Sequence, residues 1–197
     1  MHMRLIVGIT GATGSVYGIR MLQALRRARV ESHVIVSKWG LQTMLHETGY
    51  SLEQIRGMAD VWHQPGDQGA SISSGSFVTD GMVVIPCSMR TLAAIAHGTG
   101  DHLVHRAADV ILKERRKLAL VVRESPFSEV HLENMLKLAR MGVTILPPVP
   151  AFYNHPRTIE EIVDHTVMRI LDQFGIHVDL MPRWDGEMLP VAAHTHK

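Results

Sequence analysis

The stretch GITGATGSVYG, residues 8–18, follows the apolar run Leu5-Ile6-Val7 and sets four glycines and three small hydroxyl residues where a strand hands over to a helix. A loop of this kind offers free backbone N–H groups at a helix start, which suit an anionic group such as a phosphate. The glycines run G-x-x-G-x-x-x-G from Gly11. That is neither the dinucleotide pattern G-x-G-x-x-G nor a Walker loop, because no Lys-Ser or Lys-Thr follows. A dinucleotide site also needs an acid at the end of the second strand, to hold the ribose hydroxyls. Here that strand ends VIVSKWG, with Ser37 and Lys38 in the acid's place. The pattern favours a mononucleotide. Its plain alternative is a glycine turn that serves tight helix packing alone.

PCSMRTLAAIAHG, residues 86–98, is a second strand-to-helix loop of the same type. Ser88 and Thr91 are placed to cap the following helix, whose N–H groups can take an anion or a flavin carbonyl. Cys87 reads as a buried structural thiol, since no histidine is fixed beside it. Cations collect further on: Arg106 and Lys113 lie seven apart, two helical turns and hence one face. Arg115 and Arg116 read as a solvated helix end. Arg123 and Glu124 differ, because they directly follow an apolar run and so belong to the functional edge of a sheet. Tyr153 ends the next such loop, and Arg169 falls on the last helix. His102 and His105, after Asp101, read as solvent-facing, with no third metal ligand indicated. There is no Asp-Asp pair or Asp-rich run. Phosphate chemistry here is therefore expected to be metal-free and carried by Arg, Lys and Tyr.

Positioning these residues requires a sheet. The runs RLIVGIT, SHVIVS, MVVIP, KLALVV and GVTILP are short, apolar and nearly continuous, as strands buried on both faces are. Amphipathic stretches lie between them at 15–28, 129–141 and 158–174, the last opened by a capping box of Thr158 and Glu161. Such alternation predicts an α/β protein with a parallel central sheet and helices on both faces. Right-handed crossovers then gather the loops at 10–15, 37–39, 86–91, 123–125 and 147–153 at one edge. The low-complexity stretch at 63–76 is either mobile or a binding loop.

Composition bounds the rest. The 197 residues suffice for one domain, read here as 1–197 with a solvated, mobile tail from about residue 186. A net charge of +1 calls for no nucleic acid, and no apolar run is long enough for a membrane span. One cysteine and the absence of a signal-like N-terminus suit a reducing cytoplasm.

Taken together, the blocks GITGATGSVYG, IVSKWG, ASISSGSF, PCSMRTLAAIAHG, RAADVILKERRKLALVVRESPFSEVHLENMLKLARMG and PPVPAFYNHPRTIEEIVDHTVMRILDQFGI closely resemble the flavin prenyltransferases, the UbiX-like family. They cover the chain from the first strand to Ile176, and the pattern LVVRESP with HLENML is far more specific than a glycine motif. The resemblance implies a Rossmann-like, three-layer fold. It also implies an enzyme that joins the dimethylallyl group of dimethylallyl monophosphate to N5 and C6 of reduced FMN. The prenylated FMN would then serve a UbiD-like decarboxylase. A homo-oligomer, a dodecamer with active sites between subunits, is implied as well.

Carried over by position, Gly11, Ala12 and Thr13 would meet the FMN, with Ser37, Ser88, Met89, Arg90 and Thr91 completing much of that site. Arg106 and Arg123 match arginines near the flavin and the substrate phosphates. Lys113, Arg123, Tyr153 and Arg169 match the phosphate-binding set for the prenyl donor. Glu124 matches the acid/base carboxylate, and Trp184 an aromatic near the site. Thr13 stands where the family commonly has serine, which keeps the hydroxyl of a catalytic relay but adds a methyl. Two other readings compete: an FMN-dependent decarboxylase of the peptidyl-cysteine type, which usually carries a Pro-x-Met-Asn motif where this chain has PPVPAFYNHP, and a non-catalytic flavin carrier, which needs no second phosphate site.

Overall fold

Six parallel strands in the order β3-β2-β1-β4-β5-β6 form the centre of the computed structural model, which describes residues 3–186. The elements are β1 (Arg4–Ile9), α1 (Ser15–Arg27), β2 (Glu31–Val36), α2 (Lys38–Glu47), α3 (Leu52–Arg56), β3 (Val61–His63), β4 (Gly81–Cys87), α4 (Met89–His97), α5 (Leu103–Lys113), β5 (Lys117–Val122), α6 (Glu129–Arg140), β6 (Thr144–Ile145) and α7 (Ile159–Asp172). The expected tail lies outside the described residues beyond Gly186.

The continuous apolar runs are explained by what covers the two faces. Leu5, Val7 and Ile9 of β1 point into a core shared with α1 and α7, while Ile6 points into a second core shared with α4 and α5. The neighbouring strands divide in the same way: Val83 and Ile85 join the first core, Met82 and Val84 the second. Each such side chain, fully removed from water, contributes on the order of 1.5–3 kcal/mol. Arg20 of α1 also reaches Asp164 of α7, with Nη2 donating to Oδ2 at 2.9 Å.

Four elements depart from the sequence reading or were not part of it. β3 has three residues and pairs only with β2, too short to show a pattern. The helices α2 and α3 follow β2, in a stretch to which the sequence reading assigned no element. GVTILP supplies only a two-residue strand at the other edge. The start of α7 keeps half of its capping box. Thr158 Oγ1 accepts from Glu161 N at 3.2 Å, but the Glu161 carboxylate accepts from Arg157 N instead.

The order of strands decides where a ligand can go. From β1 the chain winds outward to β2 and β3, then crosses back to β4 on the other side of β1. The loops after β1 and β4 therefore diverge, leaving a crevice at the C-terminal ends of the strands.

Candidate functional site

Thr10, the residue after β1, stitches the two sides of that crevice together. Its hydroxyl donates to Pro86 O at 2.9 Å and accepts from Ser88 N at 2.8 Å, and it is 2% exposed. The sequence reading placed no role on it, because an interstrand hydroxyl bridge has no local signature. Two helices then begin at the crevice with serine caps. Ser37 Oγ accepts from Gly40 N at 3.0 Å at the head of α2. Ser88 Oγ accepts from Thr91 N and bonds Thr91 Oγ1 at 3.1 Å at the head of α4. Both helices direct the positive ends of their dipoles at a cleft of about 450 Å³, which favours an anion there.

Gly11, Ser37, Ser88, Arg90 and Thr91 converge on this cleft with Thr10, Lys38, Trp39, Pro65 and Gly66. Gly11 admits no larger residue: a Cβ there would lie 2.6 Å from Trp39 Cβ. Met89 is half-buried and packs on the α4–α5 core, leaving its neighbours to face the cleft.

The head of α1 differs from those of α2 and α4. Gly14 caps it in a left-handed conformation, φ 97°, that favours glycine. Gly14 N and Ser15 N both donate to Glu47 Oε2 at 2.9 Å. Burial alone would raise the Glu47 carboxyl, but hydrogen bonds from Thr13, Ser15 and Gly14 together hold it below the ordinary carboxylate range. The free amides that made the glycine loop look like a phosphate cradle thus already hold a carboxylate from α2. Ala12 is buried, its N–H on Thr10 O at 2.9 Å, and Thr13 is exposed and tied to Glu47. The anion seat of the cleft is therefore built by α2 and α4, over Thr10 and Gly11.

The histidines correct the sequence reading. His102 and His105 do not face solvent; they line the cleft, half-buried, with ring centroids 5.6 Å apart. His102 Nδ1 accepts from Val104 N at 3.2 Å and caps α5. With Nδ1 so used, the neutral ring carries its proton on Nε2. Burial pushes both rings below the ordinary histidine value, and Arg90 adds to the shift. His33, His63 and His165 are buried as well.

Arg116 is likewise not a solvated helix end. It is half-buried and donates to Phe77 O at 2.9 Å and Gly75 O at 2.7 Å. Arg106 Nε donates to Ser73 O at 3.2 Å, and Leu103 N to Pro65 O at 2.9 Å. The low-complexity stretch is thus pinned along α5, with Pro65 and Gly66 presented to the cleft. Arg106 itself is turned toward Ser73 and Asp109, and Lys113 pairs with Glu114.

At the end of β5, Arg123 N donates to Cys87 O at 3.1 Å, which sets Arg123 and Glu124 beside the α4 loop; both side chains are exposed. Burial pushes the Cys87 thiol far up, out of reach of nucleophilic chemistry.

Tyr153 leaves the strand ends and lies against α7. Its Oη is 2.8 Å from His165 Nε2, and its ring meets those of His165 and Trp184 edge-on, with centroids 5.6 Å away in each case. Arg169 Nη1 donates to Asp172 Oδ2 at 3.1 Å, and Arg183 grips both oxygens of Asp172 at 2.8 and 2.9 Å. Hydrogen bonding from Arg183 holds the Asp172 carboxyl below its ordinary value. Lys113 stands apart from this group. It closes α5, in the layer on the other face of the sheet, at the end that leads back to the start of β5. A single chain does not bring Lys113 together with Tyr153 and Arg169.

Residues 1–171 match the Flavoprotein family. A probable UbiX-like flavin prenyltransferase of Escherichia coli O157:H7 is 59% identical over 185 residues, covering 93% of this chain and 94% of that protein. A crystal structure of AnUbiX (PadA1) in complex with FMN and dimethylallyl pyrophosphate is 50% identical with a TM-score of 0.94, over 95% of this chain and 100% of that one. A dodecameric FMN-dependent UbiX-like decarboxylase from Escherichia coli O157:H7 is 59% identical with a TM-score of 0.91, over 93% of this chain and 100% of that one.

Proposed function

Because the chain belongs to the Flavoprotein family, and within it to the UbiX-like flavin prenyltransferases, we propose that it joins the dimethylallyl group of dimethylallyl monophosphate to N5 and C6 of reduced FMN. The observation that carries this reading is the cleft between the heads of α2 and α4, where serine caps, two helix dipoles and Gly11 suit a phosphate-bearing flavin. Reduced FMN supplies the nucleophilic ring atoms when bound. The rest falls to the chain.

Ser37, Ser88 and Thr91 offer hydroxyls, Gly11, Ala12 and Met89 offer backbone at close range, and Arg90, Arg106 and Arg123 supply charge for the flavin site. Thr13, tied to Glu47, serves a proton relay at its Oγ1. For the prenyl donor we assign Lys113, Arg123, Tyr153 and Arg169. A monophosphate is a poor leaving group, and three cations and a phenol neutralise the charge that it carries away. Preorganised donors in a dry site supply roughly 3–4 kcal/mol each where one has been removed and measured. Glu124, beside Arg123 at the rim, moves the proton during ring closure at its carboxylate oxygens.

The chain acts as one domain of a homo-oligomer, a dodecamer, in which a second copy brings Lys113 to the α7 cluster. Its product goes to a UbiD-like aromatic acid decarboxylase in the cytoplasm. Mass spectrometry of the flavin tests the reaction, after anaerobic incubation with reduced FMN and either dimethylallyl monophosphate or the diphosphate. A flavin heavier by one dimethylallyl unit with the monophosphate is expected. An unchanged flavin with both donors overturns the proposal.

A further inference from the structure

His165 has no part in the site assigned above, yet its ring shares a hydrogen bond with the Tyr153 hydroxyl. It is 7% exposed, it lies one turn before Arg169 on α7, and its Nε2 is 2.8 Å from Tyr153 Oη with the two rings at 83°. A phenol has a single proton to donate. If that proton points at His165, the oxygen offers only lone pairs to a ligand and repels a phosphate. If Nε2–H donates to Oη instead, the phenolic O–H is free to turn outward. Burial, with Arg169 next, keeps His165 below the ordinary histidine value, so the ring is a neutral donor rather than a further cation.

We propose that His165 is a positioning residue: it donates Nε2–H to Tyr153 Oη, fixes the phenol between α7 and Trp184, and so directs the phenol's own proton to the phosphate of the prenyl donor. This rests on the assignment of Tyr153 to the donor phosphate. His165 thereby acts on the reaction through Tyr153 alone.

The test is a double-mutant cycle read as donor KM, kcat and FMN affinity with dimethylallyl monophosphate. Tyr153→Phe and His165→Leu should each raise donor KM by about tenfold, the loss of one well-placed hydrogen bond, with FMN affinity unmoved. The double variant should be no worse than Tyr153→Phe, because the second change removes a partner already gone. His165→Gln, whose amide N–H reaches the same place, should restore most of the KM, and the shorter His165→Asn should not. Additive effects in the cycle, or Gln and Asn behaving alike, would overturn the role of His165 while leaving that of Tyr153 intact. If His165→Leu does not fold, the Gln and Asn pair decides alone. An unchanged KM for Tyr153→Phe in an enzyme that still prenylates FMN would remove both residues from the phosphate site, without touching the reaction itself.

Discussion

The cleft between α2 and α4 and the cluster on α7 are built in opposite ways. The cleft is founded on backbone and short side chains, with helix caps at Ser37 and Ser88 and the Thr10 bridge between neighbouring loops, and longer side chains such as Trp39, Arg90 and His102 only wall it. Thr10 and Thr91 are 2% and 5% exposed. The α7 cluster is made of long side chains. Tyr153 and Trp184 are 46% and 49% exposed, and Arg169 and Arg183 both depend on the single carboxylate of Asp172. Caps on buried strand ends lose little entropy when a ligand arrives, whereas exposed arginines must be ordered by it. The proposed function divides the labour between them, with FMN at the first and the prenyl donor at the second.

Glu124 tests that division most severely, because it follows β5 beside the α4 loop and belongs to neither region. In Glu124→Gln, product formation should fall by roughly 100-fold or more while FMN and donor still bind. Single-turnover kinetics at saturating donor read this directly, and a near-normal rate of ring closure there would remove Glu124 from the chemistry. Arg169→Ala comes next. Donor KM should rise by about tenfold with FMN affinity nearly intact, as for a lost charge-assisted hydrogen bond. Loss of FMN binding in a folded Arg169→Ala protein would merge the two regions into one.

Glu47→Ala probes the rigid side. It frees Gly14 N and Ser15 N at the head of α1 and should cost about 1 kcal/mol of stability, the usual worth of an N-cap. Denaturant unfolding reads that loss, and an unchanged midpoint would mean that the carboxylate is replaced by water at no cost.

The smallest effect is the response to acid. Burial holds His63, His102, His105 and His165 below the ordinary value of 6.5, so the unfolded chain takes up protons first as pH falls. Stability should decline as pH drops through 6.5 toward the folded values. A second decline is expected below 4.5, where Glu31 and Glu47 lose the hydrogen bonds that depress them. Melting temperatures between pH 7.5 and 5.5 would contradict this by rising on acidification.

Much of the cleft was legible because its parts are local. A strand buried on both faces shows as an apolar run, and a capped helix start shows as Ser88 and Thr91 three residues apart, so the loops at 10–15, 37–39 and 86–91 could be placed before any coordinates. The family blocks supplied the catalytic and phosphate assignments that enter the proposed function. What only the tertiary structure decided are contacts between distant elements. Glu47 reaches Gly14 across 33 residues, Thr10 meets Ser88 across 78, and His165 meets Tyr153 across a loop with no periodic pattern. Arg116 and His102 looked like surface residues, because burial depends on which segment folds over them, and here that is the stretch that closes along α5. The burial of β1, β2, β4 and β5 and the serine cap of α4 are chosen within a few residues of chain, so the sequence by itself determined them. Which carboxylate fills which helix end, and which ring orients which phenol, depends on the faces that meet when the sheet is covered.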